Sequence, residues 1–481
     1  MELTHATMIK SMFEADTTYN GRYITAVKTT GIYCLPGCRA RKPKPENVEF
    51  FATPEAARAA GYRPCKLCRP DDYYLGLHTE ETQLESLVAQ LRATPNRYPD
   101  VKALAEAVGV GQTKLFTLFR AHYHTTPASM LVRLRIAAAQ RALLETAATV
   151  TAIASDCGFE SLSAFHENFR KHTMMSPTDY RRIRKTSMFV LDLPEPYPTQ
   201  QMLGYLGRDQ HSLTDRVEGR TWLSAIRLND ISGVVVCVTF HAHYVRCAIF
   251  DAPQLEASAI HQIHWHVLSG IGLHHDPQRF EAQVSTTSDL APLIQEQQGL
   301  RIPQVANHFD GLTWAILGQR ITLTFAYTLR RRLIERLGQA MAQGVWLSPT
   351  PDAIACLTEA DLTSLGFPRT KAQYLLNAAQ AVADGQLPLA RLKDTSATHI
   401  ERVLLALHGI GPWSAQYLLM RSYGFLDCVP VGDAGLRLGL QRFFKLDQRP
   451  DRPTTLRLME PFQPYRSLAT FHFWQSLGKK E

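Results

Sequence analysis

Residues 397–444 read ATHIERVLLALHGIGPWSAQYLLMRSYGFLDCVPVGDAGLRLGLQRFF, and this stretch decides the fold of the C-terminal half. Thr398 and Glu401 have the spacing of a capping box, which predicts a helix start. Gly409-Ile410-Gly411 then makes a hairpin, and Pro412 stands where proline suits the first turn of a following helix. Two helices joined this way aim backbone N–H groups and a helix N-terminus at a phosphate, without reading sequence. A Gly-x-Gly between helices is weak alone. Asp433, 22 residues after Gly411 with Pro430 just ahead of it, makes the pattern specific. Asp427 is the nearest rival carboxylate and reads as a turn or capping residue.

Upstream, residues 308–338 (HFDGLTWAILGQRITLTFAYTLRRRLIERLG) continue a helical pattern that runs from about Pro303 to the end. Before it, Trp222 to Phe250 is β-rich, with SGVVVCVTFHAHYVRCAIF at 232–250, and a helix is expected around Leu255–Leu268. A small antiparallel sheet with helices follows from that order. Pro194, Pro196 and Pro198 mark a linker or an irregular segment leading into it.

Residues 97–185 carry 13 basic and 7 acidic residues, so +6 of the net charge of +8 lies there. That concentration fits a dedicated nucleic-acid module, although a solvated helical face has the same composition. The segment reads twice as short helix, glycine turn, short helix. Leu104, Ala105 and Val108 precede Gly109-Val110-Gly111, and Gln112 opens the next helix. Ile153-Ala154 precede Gly158-Phe159, and Ser161 opens the next. A connecting helix is expected over Ala128–Leu144. Each unit ends in a Thr-Pro or Ser-Pro step. Two such units about 45 residues apart are a far stronger helix-turn-helix signal than one. Gln112–Arg120 and Ser161–Lys171 would be the recognition helices. Phe116, Phe119, Phe165 and Phe169 are expected in the core, and Cys157 as a small buried residue.

Four of the nine cysteines fall in the first 68 residues: Cys34-x3-Cys38, 26 intervening residues, then Cys65-x2-Cys68. Pro36-Gly37 and Pro64 place both pairs in turns, where two sulfurs can converge. Two such pairs offer four thiolates to one tetrahedral Zn²⁺. A purely structural zinc is the commoner outcome for such clusters. The other five cysteines are scattered, and the odd count fits a reducing cytoplasm.

The chain has 481 residues, with 45% hydrophobic and 20% charged, which excludes a mostly disordered chain and predicts three or four domains. No apolar run reaches the roughly 18 residues of a membrane span. The opening MELTHATMIK lacks the order of a secretory signal, so a cytoplasmic location is expected.

Three resemblances join these readings. Tyr33-Cys34-x-x-x-Cys38-Arg39-Ala40-Arg41, with Arg63-Pro64-Cys65-Lys66-x-Cys68-Arg69-Pro70, resembles the N-terminal domain of the Ada adaptive-response DNA repair proteins over about residues 10–75. The resemblance implies that Cys34, bound to zinc with Cys38, Cys65 and Cys68, accepts a methyl group from a DNA phosphotriester. Zinc would be both structural and thiolate-activating. Arg39, Arg41, Lys42, Lys44, Lys66 and Arg69 suit a DNA backbone, with no specific contact assigned to any. Gly158-Phe159 with Phe165-x-x-x-Phe169-Arg170 is similar to the AraC-type DNA-binding domain.

Residues 190–480 resemble the AlkA-type 3-methyladenine DNA glycosylases. That likeness implies catalysis by Asp433, whose carboxylate stabilises the developing sugar cation. It implies a base pocket with Trp413, Tyr417 and Trp474, and DNA binding at Gly409 and Gly411. Gln319 and Arg320 fall where the family inserts a residue beside the flipped base. The family's best-known member has leucine where this chain has Arg320. Strand-cutting relatives carry lysine where Trp413 stands, so abasic sites should stay uncut.

The expected architecture is multidomain α+β. It comprises a zinc-binding methyl-acceptor domain (1–80), an all-α double helix-turn-helix (81–186), an AlkA-like N-terminal α/β subdomain (187–300) and an all-α helix-hairpin-helix glycosylase domain (301–481). The implied function is DNA alkylation repair and its regulation, by a monofunctional 3-methyladenine glycosylase with a suicidal methyl acceptor and a transcriptional activator. The alternative is a transcriptional regulator with a degenerate glycosylase domain. No Pro-Cys-His-Arg motif is present, so O6-alkylguanine repair is not expected. Double-stranded DNA, damaged and promoter, is the expected partner of a monomer, with an RNA polymerase contact and no membrane.

Overall fold

The computed structural model describes residues 3–38, 40–75, 79–228, 232–250 and 255–478. Arg39 lies outside the described residues. The chain forms two compact units, Met1–Ser86 and Leu87–Glu481.

The first unit holds a four-stranded sheet in the order Val48–Phe51, Ile24–Val27, Ile32–Cys34, Arg63–Pro64, the last pair parallel. Ile24, Ala26 and Tyr33 are buried on it with Leu35 and Ala57. So small a core suits a unit held together by a bound metal.

In the second unit the two helix-turn-helix repeats are built by the same local rules. Asp100 caps Val101–Val108, and Gly109 turns the chain at φ +72°. Gln112–Tyr123 follows and ends on His124 in the left-handed region, then Thr126 caps Pro127–Glu145. In the second repeat Thr149 caps Val150–Asp156, Gly158 turns at φ +83°, and Ser161 caps Leu162–Thr173. That helix ends on left-handed Met174 before Ser176 caps Pro177–Arg182. Each cap satisfies a backbone donor the helix cannot, and each left-handed residue stops a helix. Phe119, Phe165 and Phe169 are fully buried. Phe116 is not: it is 46% exposed, with the Arg120 guanidinium over its ring at 5.2 Å. It falls one residue off the inward stripe of Leu115, Leu118 and Phe119, so aromatic character alone misplaces it.

The antiparallel sheet has five strands, in the order Met188–Asp192, Tyr244–Phe250, Ser232–Phe240, Thr221–Leu228, Asp215–Glu218. Trp222, Ile226 and Leu228 point from it toward helix Ala257–Gly270. A Cβ at Gly270 would lie 2.2 Å from the Trp222 ring, so only glycine lets sheet and helix approach this closely. The second helix-turn-helix repeat shares this core: Leu143, Phe165 and Tyr180 are in one buried cluster with Phe189, Val236 and Ile263. The first repeat docks by polar contacts. His122 Nδ1 meets Thr398 Oγ1 at 2.9 Å, and the Asp427 backbone N–H donates to His124 Nδ1 at 3.1 Å. Burial pulls His124 down to about 4, which keeps Nδ1 unprotonated and able to accept that bond.

The remaining chain is helical, apart from a short strand pair at Gln339–Ala340 and Trp346–Leu347. Among the described residues no helix is long and apolar enough to cross a membrane.

Candidate functional sites: a four-thiol cluster and an aromatic cleft

In the first unit, Cys34 closes strand Ile32–Cys34, and a turn closed by Cys38 N–H donating to Leu35 O at 3.1 Å brings Cys38 back. Cys65 N–H donates to Tyr33 O at 2.9 Å, which fastens the second pair beside the first. The four sulfurs lie within 4.8 Å of one another, close enough for a single tetrahedral ion. They are too crowded to ionise together without one. A hydrogen bond between Cys34 and Cys38 pushes the Cys34 thiol up and pulls the Cys38 thiol down. Four converging thiols, with no carboxylate in the group among the described residues, fit Zn²⁺. Cys38 and Cys65 are buried, whereas Cys34 and Cys68 are half-buried, so Cys34 keeps access to solvent.

In the second unit the hairpin is Gly409-Ile410-Gly411 between helices Ala397–Ala406 and Pro412–Arg421. The first helix is capped by Ser396, whose hydroxyl accepts from His399 N–H at 2.9 Å, and not by the Thr398–Glu401 box expected above. The chain enters the helix two residues earlier, and this frees both residues for tertiary bonds. Thr398 binds His122, and Glu401 accepts from Gln416 at 2.8 Å. Gln416 in turn accepts from Val429 N–H at 3.0 Å and so fixes the loop that leads to Asp433. Gly409 has φ +93°, and a Cβ there would lie 2.3 Å from the Tyr374 ring. A Cβ at Gly411 would meet nothing within 4 Å, so this side of the hairpin is open.

Asp433 caps helix Ala434–Phe443. Its Oδ1 accepts from Leu436 N–H at 2.8 Å and from Trp474 Nε1 at 2.9 Å, and its Oδ2 accepts from Trp413 Nε1 at 2.9 Å. Three donors hold the carboxylate, and among the described residues it has no ion pair. Oδ2 keeps lone-pair capacity for a water or a developing positive charge. The Tyr417 ring stacks on Trp413 at 5.4 Å and lies tilted to Trp474 at 6.0 Å. Four of the expected residues are thereby brought together. Asp427 is used elsewhere: it forms a two-point ion pair with Arg466, at 2.7 and 2.8 Å.

Gln319 serves the hairpin, its amide donating to Gly409 O at 2.9 Å and to Ser414 Oγ at 3.0 Å. Arg320 is exposed at φ +53°, on the turn between helices His308–Leu317 and Leu323–Leu337. Exposed Leu323 follows at 63%. Lys371 caps the turn from within, donating to Ile316 O at 2.9 Å. Sequence reasoning missed Trp314, whose Nε1 donates to the Tyr417 hydroxyl at 2.9 Å, and it missed Tyr205, Arg208, Tyr327 and Arg421 around it. Trp314 lay in a quoted helical stretch. Nothing in its spacing separated a pocket wall from ordinary core.

A hairpin that offers backbone N–H groups, a caged carboxylate beside stacked indoles, two helix-turn-helix units and a four-thiol cluster define a class: a DNA-binding protein with a base-excision site. Comparison with known proteins finds four matching domains. The metal binding domain of Ada matches residues 7–71, a helix-turn-helix domain 104–183, the AlkA N-terminal domain 188–307, and the HhH-GPD superfamily of base excision DNA repair proteins 313–464. In that order the four matches resemble a fusion of an Ada-type front half with an AlkA-type half. It is 27% identical over 483 residues, 96% of this chain and 94% of the relative, to a probable bifunctional transcriptional activator/DNA repair enzyme AlkA of Mycobacterium tuberculosis. It is 27% identical to a DNA-3-methyladenine glycosylase of Bacillus subtilis, over 60% of this chain and 97% of that one. The 3-methyladenine DNA glycosylase structure from Archaeoglobus fulgidus shares the fold, with a TM-score of 0.53 at 19% identity over 60% of this chain and 97% of that one.

Proposed function

We propose that the second unit excises alkylated purines such as 3-methyladenine from double-stranded DNA by hydrolysis, and that the first unit reports the same damage by accepting a methyl group. The observation that carries the excision reading is the Asp433 carboxylate, held by both pocket indoles at 2.9 Å. As the bond between C1′ and the base nitrogen breaks, its electron pair leaves with the base and the sugar becomes cationic. Asp433 stabilises that cation and orients the water that adds to C1′. Trp413, Tyr417 and Trp474 receive the flipped base, Gly409 and Gly411 hold a backbone phosphate through their amides, and Gln319 braces the hairpin. Arg320 enters the duplex beside the vacated position. The abasic product stays uncut.

Cys34, Cys38, Cys65 and Cys68 would hold one Zn²⁺, which keeps their sulfurs ionised at neutral pH. The Cys34 sulfur attacks the methyl carbon of a phosphotriester; the S–C bond forms, the O–CH₃ bond breaks, and a phosphodiester leaves. The two helix-turn-helix units read a promoter, and the regulatory half contacts RNA polymerase. The protein acts as a cytoplasmic monomer, with its domains divided near residues 80, 186 and 300. Base release from methylated DNA by the wild type and by Asp433→Asn tests the central reading. Equal rates would remove Asp433 from the mechanism.

A further inference from the structure

Between helices His308–Leu317 and Leu323–Leu337 the chain turns through Gly318-Gln319-Arg320-Ile321-Thr322, and this turn touches both parts of the excision site. A Cβ on Gly318 would lie 3.6 Å from the Trp413 ring, so the turn runs against a pocket indole. The Gln319 side chain is tied to the hairpin through Gly409 O and Ser414 Oγ. Arg320 follows, exposed and at φ +53°. A residue with a side chain disfavours that left-handed conformation, so its surroundings must hold it there.

The group that holds it is Lys371, from helix Arg369–Ala383. Lys371 is 7% exposed, and its ammonium donates to Ile316 O at 2.9 Å and to Gln319 O at 2.5 Å. The Gln319 carbonyl belongs to the peptide group that joins Gln319 to Arg320. Fixing its oxygen fixes the peptide plane about which φ of Arg320 turns. Gln319 is thus pinned twice, by its side chain to the hairpin and by its main chain to Lys371, and both bonds set the direction in which Arg320 projects. Ile316 O is among the last carbonyls of its helix, where the helix dipole favours a cation.

Among the described residues Lys371 has no ion pair, and burial pulls its ammonium down to about 8, which leaves it charged at neutral pH. A buried charge without a carboxylate costs stability, and an apolar side chain of similar length would fill the same space without that cost. What the ammonium adds to packing is a pair of bonds to two carbonyls at the root of the turn.

We propose that Lys371 is a positioning residue for base flipping: it holds the Gln319–Arg320 peptide so that Arg320 enters the duplex as the damaged base leaves the stack. The inference rests on the excision reading above. Loss of Lys371 should slow the flipping step and leave phosphate binding at the hairpin largely intact.

The test is single-turnover release of 3-methyladenine. A strand with one adenine is methylated as a duplex, separated, and annealed either to its full complement or to a strand that lacks the facing nucleotide. The second duplex presents a bulged base, which has no pairing partner and costs less to flip. Lys371→Met should slow release from the paired duplex about tenfold and from the bulged one by at most about threefold, with affinity for undamaged duplex within about threefold of the wild type. Arg320→Ala should show the same pattern, and the double variant should lose no more than the larger single loss, because both residues act in one step. If Lys371→Met does not fold, Lys371→Gln, which keeps a polar head but cannot reach both carbonyls, carries the same expectation. Equal slowing on both substrates, losses that multiply in the double variant, or wild-type release from the paired duplex overturns the proposal and leaves Lys371 a structural residue. Wild-type protein that binds both duplexes and releases no base from either overturns the excision reading itself, and this inference with it.

Discussion

Cys34, Cys38, Cys65 and Cys68 come from two turns separated by 26 residues, and short hydrogen bonds within one small sheet bring them together. The cleft around Asp433 is assembled differently. Trp314, Trp413, Tyr417 and Trp474 come from three helices and Asp433 from the cap of a fourth, spread from residue 308 to residue 476. The cluster is a local device whose donors depend on a bound ion for their common charge state. The cleft is preorganised by protein alone, since indole and backbone N–H groups already hold its carboxylate. A local device should fail when one ligand is lost and leave the other site working. A preorganised site should lose chemistry before it loses binding.

The largest expected effect tests the cleft. Asp433→Asn keeps the shape and removes the charge, so excision of 3-methyladenine should fall by about a hundredfold or more, with duplex affinity retained. A parallel fall in affinity would mean that Asp433 positions DNA instead of stabilising the sugar cation. The matching test of the cluster is Cys38→Ser. Zinc per chain after dialysis against a mild chelator should drop from one to well below one, while Asp433-dependent excision in the same preparation persists. Loss of both together would end the contrast between the two sites.

A smaller effect is expected at the hairpin. Gly409→Ala forces a left-handed residue and a Cβ against Tyr374, so duplex affinity should weaken roughly tenfold in a titration on undamaged DNA. Wild-type affinity in the variant would exclude the hairpin as the phosphate contact. The smallest effect links the cluster to promoter reading. Methylation of Cys34 changes one thiolate to a thioether and a zinc-bound cluster from −2 to −1, which lessens repulsion of DNA phosphate. At low salt, protein with confirmed methyl-Cys34 should bind promoter DNA severalfold more tightly, with the difference shrinking as salt rises. Equal titration curves at low salt would leave Cys34 without an electrostatic role in regulation.

By itself the sequence determined whatever depends on short spacing. The thiol pairs, the glycine turns at Gly109 and Gly158, the Gly409-Ile410-Gly411 hairpin and Asp433 were legible because each rests on a turn, a cap or a run of a few residues. Where spacing misled, tertiary bonds had overridden it: Ser396 displaced the Thr398 cap once Thr398 had His122 to bind, and Phe116 fell just off the buried stripe. Only the tertiary structure decided that Asp427 belongs to Arg466, that Trp314 walls the cleft, and that Arg208 lies over Tyr205. Those pairings join residues far apart in the chain. No periodicity encodes them, because their partners are chosen by the packing of whole helices and not by the order of neighbours along the backbone.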